Sequence, residues 1–423
     1  MRHRFTGLWR HPDFLKLWTG QTVSLLGSQI TLLALPLIAV LTLHAGPTQM
    51  GLLTAAQLAP YLLVGLFAGV WVDRIRRRPL LIVADVLRAV LLLTIAGAAV
   101  LHSLTMVWLY LLAFLFGILT VFFEVAYQSF LPSLVRREHL VEGNAKLEVS
   151  HSVAQIAGPS LGGALVSLIT APLAVLADAA SFLVSAASLF AIRTPEPRPA
   201  PATERRGVRR EIGEGLHVVL GNPLLRSIAG CASTGNLFGT IIVAIFVLYA
   251  TRNLGIAPGL LGLIFAAGNV GVLVGALLAA RVPRRLGVGP TIVVGLLVTD
   301  AGLLLIPLAG GPRALVVSML IAAQFLSGFG SPLYNVNQVS LRQTITPDRL
   351  QGRMNATMRF LVWGMMPVGS LLGGVLGSAL GLRPTLAIGA VGELTAVLWI
   401  WLSPVRTLRE HPAPVEESTS AVV

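Results

Sequence analysis

Charge is what this sequence has least of. Only 12% of its 423 residues are Asp, Glu, Lys or Arg, where a soluble domain carries about 25%. With so few polar groups to cover it, most of the outer surface must face something other than water. Long apolar runs make that solvent lipid. The remaining charge is unbalanced, with 31 basic against 18 acidic residues and a formal net charge of +13. It sits in short segments between apolar runs and forms no basic face on a soluble domain, so nucleic acid is not an expected partner. Cysteine is nearly absent: Cys231 stands alone, which excludes an internal disulfide and any cysteine-based zinc cluster. Lysine occurs only as Lys16 and Lys146. No GxxxxGK[ST] loop exists, so ATP hydrolysis is not expected. No phosphate-cradling loop, catalytic triad or metal-ligand cluster is visible, and neither an enzyme, a cofactor nor a bound metal is expected.

What is present is apolar length. Twelve runs of about 20 residues are long enough to cross a bilayer. They lie near 14–43, 50–72, 79–101, 104–130, 142–169, 172–192, 224–250, 258–280, 289–309, 314–340, 353–380 and 384–403, and are numbered here as spans one to twelve. They are expected to be helices, because a single lipid-spanning chain must satisfy its backbone within each segment, and a barrel would show only alternating apolarity. The first run follows Arg2, Arg4 and Arg10 and is too long for a cleavable leader, so it reads as a retained span. With the N-terminus inside, only Arg252, Arg313 and Arg383 of the 31 basic residues fall in outer loops. Both termini are therefore expected in the cytoplasm. The expected organisation is a bundle over 1–192, a Pro- and Arg-rich cytoplasmic linker over 193–222 with a short helix near 208–220, a second bundle over 223–405, and a disordered tail over 406–423.

The two bundles are related. Shifting the chain by 211 residues places Pro12 on Pro223, Gly51 on Gly262, Ala55-Ala56 on Ala266-Ala267 and Pro79 on Pro290. Gly117 then meets Gly328, Asn144-Ala145 meets Asn355-Ala356, and Gly162-Gly163 meets Gly373-Gly374. Each half holds six spans, an even number, so the repeat is parallel about an axis along the membrane normal. Two similar bundles can rock about a central site, a geometry that suits alternating access.

Three motifs lie on this frame. The loop after span two reads Gly69-x-x-x-Asp73-Arg74-Ile75-x-Arg77-Arg78. It resembles the signature loop of the major facilitator superfamily, with Arg76 where that loop usually has glycine. Span five holds Gly158-Pro159-Ser160-Leu161-Gly162-Gly163, which looks like the GPxxGG element of antiporters in that superfamily. There proline removes a backbone donor and glycines permit close helix contact. The stretch from Phe114 to Gly163 resembles the branch that contains macrolide efflux pumps and the enterobactin exporter. The arginine motif that other drug antiporters carry in span four is absent. The resemblance implies an all-α membrane protein of twelve transmembrane helices, arranged as two parallel-repeat six-helix bundles. It also implies a cytoplasmic gate built on Gly69, Asp73, Arg74, Arg77 and Arg78, and export as the direction of transport.

An ionisable residue within a span is a functional candidate, because charge in lipid is expensive. Glu124, in span four, is the candidate proton carrier; the repeat maps it onto Asn335. Glu148 maps onto Arg359 near the cytoplasmic ends of spans five and eleven, a candidate gate pair. Asp85 and Arg88 are spaced to pair on one helix face. Asp178, Asp300 and Glu393 fall on spans that the resemblance places at the periphery, and nothing in the sequence supplies a partner for Glu393. In span one, Gln21, Ser24, Ser28 and Thr31 form one polar face. With Gln57, Tyr61, Tyr127, Asn236, Asn269, Gln324, Asn335, Gln338 and Trp363 they are candidates for the substrate cavity, each with an interhelical hydrogen bond as the alternative role.

The function expected is proton-coupled export of small amphipathic molecules, such as drugs or secondary metabolites, by a monomer in the cell membrane. The expected partners are a small-molecule substrate, protons and the lipid bilayer. Siderophore export is a second reading, and a non-transporting sensor or scaffold a third, for which Glu124 and the gate loop would have no use.

Overall fold

The computed structural model describes residues 7–72, 74–196 and 208–410. Every regular element among them is helical. Eleven helices are long and apolar enough to cross a membrane. Their outward faces suit lipid: Leu32, Phe67, Val107, Leu168, Phe190 and Leu402 are each more than half exposed, an arrangement that water would penalise.

Each expected span except the second coincides with one of the eleven. Residues 50–72 instead form two helices, Pro47–Leu63 and Gly65–Val72, broken at Val64. Pro60 withholds a donor from the preceding turn, and Gly65 carries the largest backbone-entropy cost of any residue in a helix. The span over Leu350–Leu380 turns at Gly364 for a related reason. Pro367 has no N–H for the carbonyl of Trp363, so the ladder is interrupted there.

The chain falls into two compact units, Met1–Thr203 with Val247–Ala266 and Glu204–Phe246 with Ala267–Val423. In the first, span one packs on spans five and six, span three on spans four and six, and span two on span four. The segment 247–266 clusters with this unit through the start of span eight. In the second, span nine packs on spans ten and twelve. A helix over Val208–Gly221, where the sequence suggests a short one, lies on the start of span eleven. There the Glu214 carboxylate pairs with Arg353. Cys231 is buried among Ile228, Ile292, Val397 and Ile400 in this unit's core.

Two local features recur 211 residues apart. Spans one and seven both loosen into π-helical turns at their ends, Ile38–Thr42 and Tyr249–Asn253. The corners before spans six and twelve turn through left-handed backbone at Thr170 (φ 89°, ψ 154°) and Gly381 (φ 90°, ψ 164°). This region is open almost only to glycine, and a β-branched side chain there is strained. Thr170→Gly is accordingly expected to stabilise the protein by about 1–3 kcal/mol, read as a higher unfolding temperature in detergent. An unchanged or lower temperature would show that the Thr170 side chain offsets the strain.

The end of the first unit, where the linker begins, is laced together. Asp13 accepts hydrogen bonds from the backbone of Arg193 (3.1 Å) and Thr194 (2.9 Å) and from the Thr194 hydroxyl (2.7 Å), and pairs with Lys16 at 2.7 Å. Lys16 also donates to the Ala191 carbonyl at 2.8 Å. Glu196 accepts from the backbone N–H groups of Arg77 and Arg78 at 2.6 and 3.1 Å, supplying the first turn of span three with the anion that helix N-termini favour. Arg78 donates in turn to the carbonyls of Leu189 and Phe190 in the last turn of span six. In the second unit, residues 408–410, within the expected disordered tail, run beside span nine. The N–H groups of Gly289 and Val288 donate to the carbonyls of Leu408 and Arg409 at 2.8 and 3.3 Å. The remainder of that tail, 411–423, and linker residues 197–207 lie outside the described residues.

Candidate functional site

The polar centre of the first unit is built where spans two, three, four and six converge. Helix Met106–Leu134 carries Glu124 on an exposed face, and the Tyr61 hydroxyl of helix Pro47–Leu63 donates to its Oε1 at 3.1 Å. One turn of span three brings Arg88 within electrostatic reach of the same carboxylate. Arg88 pairs with Asp85, as their spacing predicts, and its guanidinium lies 4.2 Å from the ring centres of both Phe123 and Phe182. The two rings sandwich the cation and replace lost water on its faces. Asp178 stands nearby on span six, accepting from the hydroxyls of Thr31 and Ser181. Thr31 thus serves span six. Glu124 is thus exposed and hydrogen-bonded to a neighbouring helix.

The glycine element of span five has two working faces. Gly158 and Gly162 face span one: a Cβ on Gly158 would stand 2.3 Å from Gln29 Cβ, and one on Gly162 3.1 Å from Ile30 Cα. Gly163 and the Pro159 carbonyl face the start of helix Pro258–Ala279. A Cβ on Gly163 would stand 2.5 Å from the Pro258 carbonyl oxygen, and one on Gly262 2.3 Å from the Pro159 carbonyl oxygen. Ser167 stitches this crossing, accepting from the Gly259 N–H at 3.0 Å and donating to the Gly163 carbonyl at 2.9 Å. Pro159 sits inside a continuous helix, Leu140–Ile169. Gly259, Gly262 and Ser167 were not flagged for this role by the sequence, although Gly262 is the repeat partner of Gly51.

The gate residues are divided. Asp73 lies outside the described residues. Gly69 closes toward the end of helix Gly65–Val72, Arg74 is exposed in the following turn, and Arg77 and Arg78 open span three. Glu148 lies 3.9 Å from His151, and Arg359 lies 5.0 Å from the centre of the Trp363 ring on its own helix.

The cavity candidates separate by what already engages them. In the first unit, Ser24 is buried, while Gln21, Ser28 and Gln57 are half-buried. Tyr127 stacks on Phe123, with ring centres 5.9 Å apart, and its buried hydroxyl has no partner among the described residues. In the second unit, Asn236 donates to the Val362 carbonyl at 3.0 Å and Ser233 to the Leu361 carbonyl at 3.2 Å, both beside the Gly364 turn. Asn236 therefore ties spans seven and eleven together. Asn335 donates to Ser331 at 3.1 Å, and the Oε1 of buried Gln338 has no partner among the described residues. Asn269 and Gln324 are half-buried, Gln324 against Gly268.

Known proteins share this architecture. The chain is 28% identical over 411 residues to the multidrug efflux pump Tap of Mycolicibacterium fortuitum, covering 94% of this chain and 97% of that one. It is 26% identical over 425 residues to the enterobactin exporter EntS of Escherichia coli O1:K1, covering 97% and 96%. The fold superposes on a bacterial homologue of the iron transporter ferroportin with a TM-score of 0.75 at 17% identity, covering 94% and 99%. A family model described as transmembrane secretion effector matches residues 6–420. That match spans nearly the whole chain, which accordingly belongs to the transmembrane secretion effectors of the major facilitator superfamily and is a multi-span membrane transporter, not an enzyme.

Proposed function

We propose that the chain exports small amphipathic molecules, drugs or secondary metabolites, across the cell membrane by proton antiport with alternating access. The observation that carries this reading is the hydrogen bond from Tyr61 to Glu124. It is charge-assisted while Glu124 is ionised, and such bonds are roughly twice as strong as neutral ones. Protonation weakens the tie between spans two and four, so proton occupancy becomes helix position. The kinship with a multidrug pump supports the substrate class.

In this reading the twelve runs are twelve spans in two six-helix repeats, with both termini in the cytoplasm and a monomer as the working unit. The π-turns and left-handed corners spaced 211 residues apart support the repeat. The loop around Asp73 locks the cytoplasmic side, and Glu148 and Arg359 pair when it closes. Exchanging the charges, Glu148→Arg with Arg359→Glu, is expected to restore transport lost in either single variant. Failure of the double variant to recover would remove the pairing.

The test of the whole is dye accumulation in inside-out vesicles holding an acidic lumen. A fluorescent amphipathic cation is expected to accumulate and to leave when the pH gradient is dissipated. Accumulation indifferent to the gradient would overturn proton coupling. The near full-length kinship with an enterobactin exporter favours a siderophore as the second reading. A catecholate siderophore that competes with the dye, and is itself accumulated, would shift the assignment.

A further inference from the structure

The second unit holds two acids that export through Glu124 does not use. Asp300 lies in helix Val288–Leu308 and Glu393 in helix Leu382–Leu394, which pack on each other. Asp300 is 1% exposed, and neither carboxyl oxygen has a hydrogen-bond partner among the described residues. The Oε2 of Glu393 is buried and equally alone, with Gly239 backed against it. The two carboxyls are close enough to interact electrostatically. The titratable group facing them from a neighbouring element is Cys231 of span seven, which is not a base; Tyr334 of span ten faces Cys231 in turn. Arg342 of span ten acts on Tyr334, and neither acid is in an ion pair among the described residues.

The first unit shows what is missing. Its third and sixth spans also carry an acid each, Asp85 and Asp178, but Arg88 pairs with the first and its charge reaches the second. The 211-residue shift places Asp85 on Leu296, Asp178 on Gly389 and Arg88 on Thr299. Asp300 and Glu393 each stand four residues beyond the equivalent position, about one helical turn along the same face. The position one turn beyond Thr299 is Leu303, so the acids recur and the base does not.

A buried carboxylate without a counter-charge or donor is costly, and two neighbouring ones cannot both stay ionised. Metal cations want several oxygen ligands, and no cluster of three or more His, Cys, Asp or Glu exists among the described residues. We propose that Asp300 and Glu393 form a proton-binding site inside the second unit, holding at least one proton at neutral pH. This site is separate from Glu124 and does not rest on the export reading.

The experiment is infrared spectroscopy of the full chain in liposomes at neutral pH, where protonated carboxyls absorb apart from ionised ones. Asp300→Asn and Glu393→Gln keep side-chain size and remove one acid each. At least one of them is expected to abolish a protonated-carboxyl band present in the parent. Leu303→Arg, which sets a base three residues after Asp300 as Arg88 follows Asp85, is expected to convert that band to ionised carboxylate. If both isosteric variants keep every protonated-carboxyl band of the parent, the proposal fails. It fails equally if the pair absorbs as carboxylate that shifts when sodium or calcium replaces choline. No transported substrate is needed, so the result is independent of whether the chain exports anything.

Discussion

Glu124→Gln is expected to reduce pH-driven dye accumulation to the level of empty vesicles, while dye binding to the purified protein stays within a few-fold of the parent. Glutamine keeps the size of the side chain and an oxygen that can accept from the Tyr61 hydroxyl, 3.1 Å from Glu124 Oε1 in the parent. It removes the charge and the exchangeable proton, so scaffold is preserved and coupling is lost. Substrate movement down its own gradient should survive, because that process needs no proton. Tyr61→Phe provides the companion measurement. It leaves the acid but removes its donor, and should slow coupled transport without eliminating it. If Glu124→Gln supports gradient-driven accumulation at the parental rate, the coupling site lies elsewhere. The infrared bands of Asp300 and Glu393 would then become the next place to look.

Gly163→Ala is the second variant with a large expected effect. One methyl group there would meet the Pro258 carbonyl oxygen at 2.5 Å, with Gly259 and Gly262 Cα atoms just beyond. All three neighbours are backbone, which cannot rotate aside as a side chain can. The usual penalty for overpacking is about 1–3 kcal/mol, and contact with backbone belongs at its upper end. The internal control is Gly97→Ala in span three, where a Cβ meets nothing within 4 Å. There alanine should gain up to about 1 kcal/mol from helix propensity. The unfolding temperature should therefore fall at Gly163 and hold or rise at Gly97, and dye transport should fail only at Gly163. Gly262→Ala strikes the same crossing and should not add fully to Gly163→Ala, because the two share a contact. Matching behaviour at Gly163 and Gly97 would mean that the crossing of spans five and eight tolerates separation.

The architecture was largely legible because lipid imposes one requirement on every span. The eleven long helices follow apolar length, and the pairing of Asp85 with Arg88 follows from i, i+3 spacing on one helix. Contacts between residues far apart in sequence were not legible. Asp13 binds Thr194 and Glu196 binds Arg77, and nothing local in either stretch announces the other. The glycine element shows both sides of this limit. Its glycines announce close helix contact, yet only the folded chain shows that Gly162 meets span one and Gly163 meets span eight. The break at Val64 depends on where Pro60 falls within its helix, which mean hydropathy averages away. Asn236 had polar chemistry fit for a cavity and is engaged by the carbonyl of Val362 beside a helix turn. For Glu393 the sequence offered no base, and among the described residues none pairs with it; the charged group acting on it is another acid, Asp300.

The solitary thiol has a practical consequence. Cys231 is 1% exposed and sits among aliphatic side chains, where a water-soluble maleimide has little access. The natural chain is thus already a shielded background for site-directed labelling. A single cysteine introduced at exposed Arg74 or exposed Glu148 would take a spin label or fluorophore without prior removal of the native one. Motion at the proposed gate is therefore open to spectroscopy in a protein that differs from the natural one at only the labelled position.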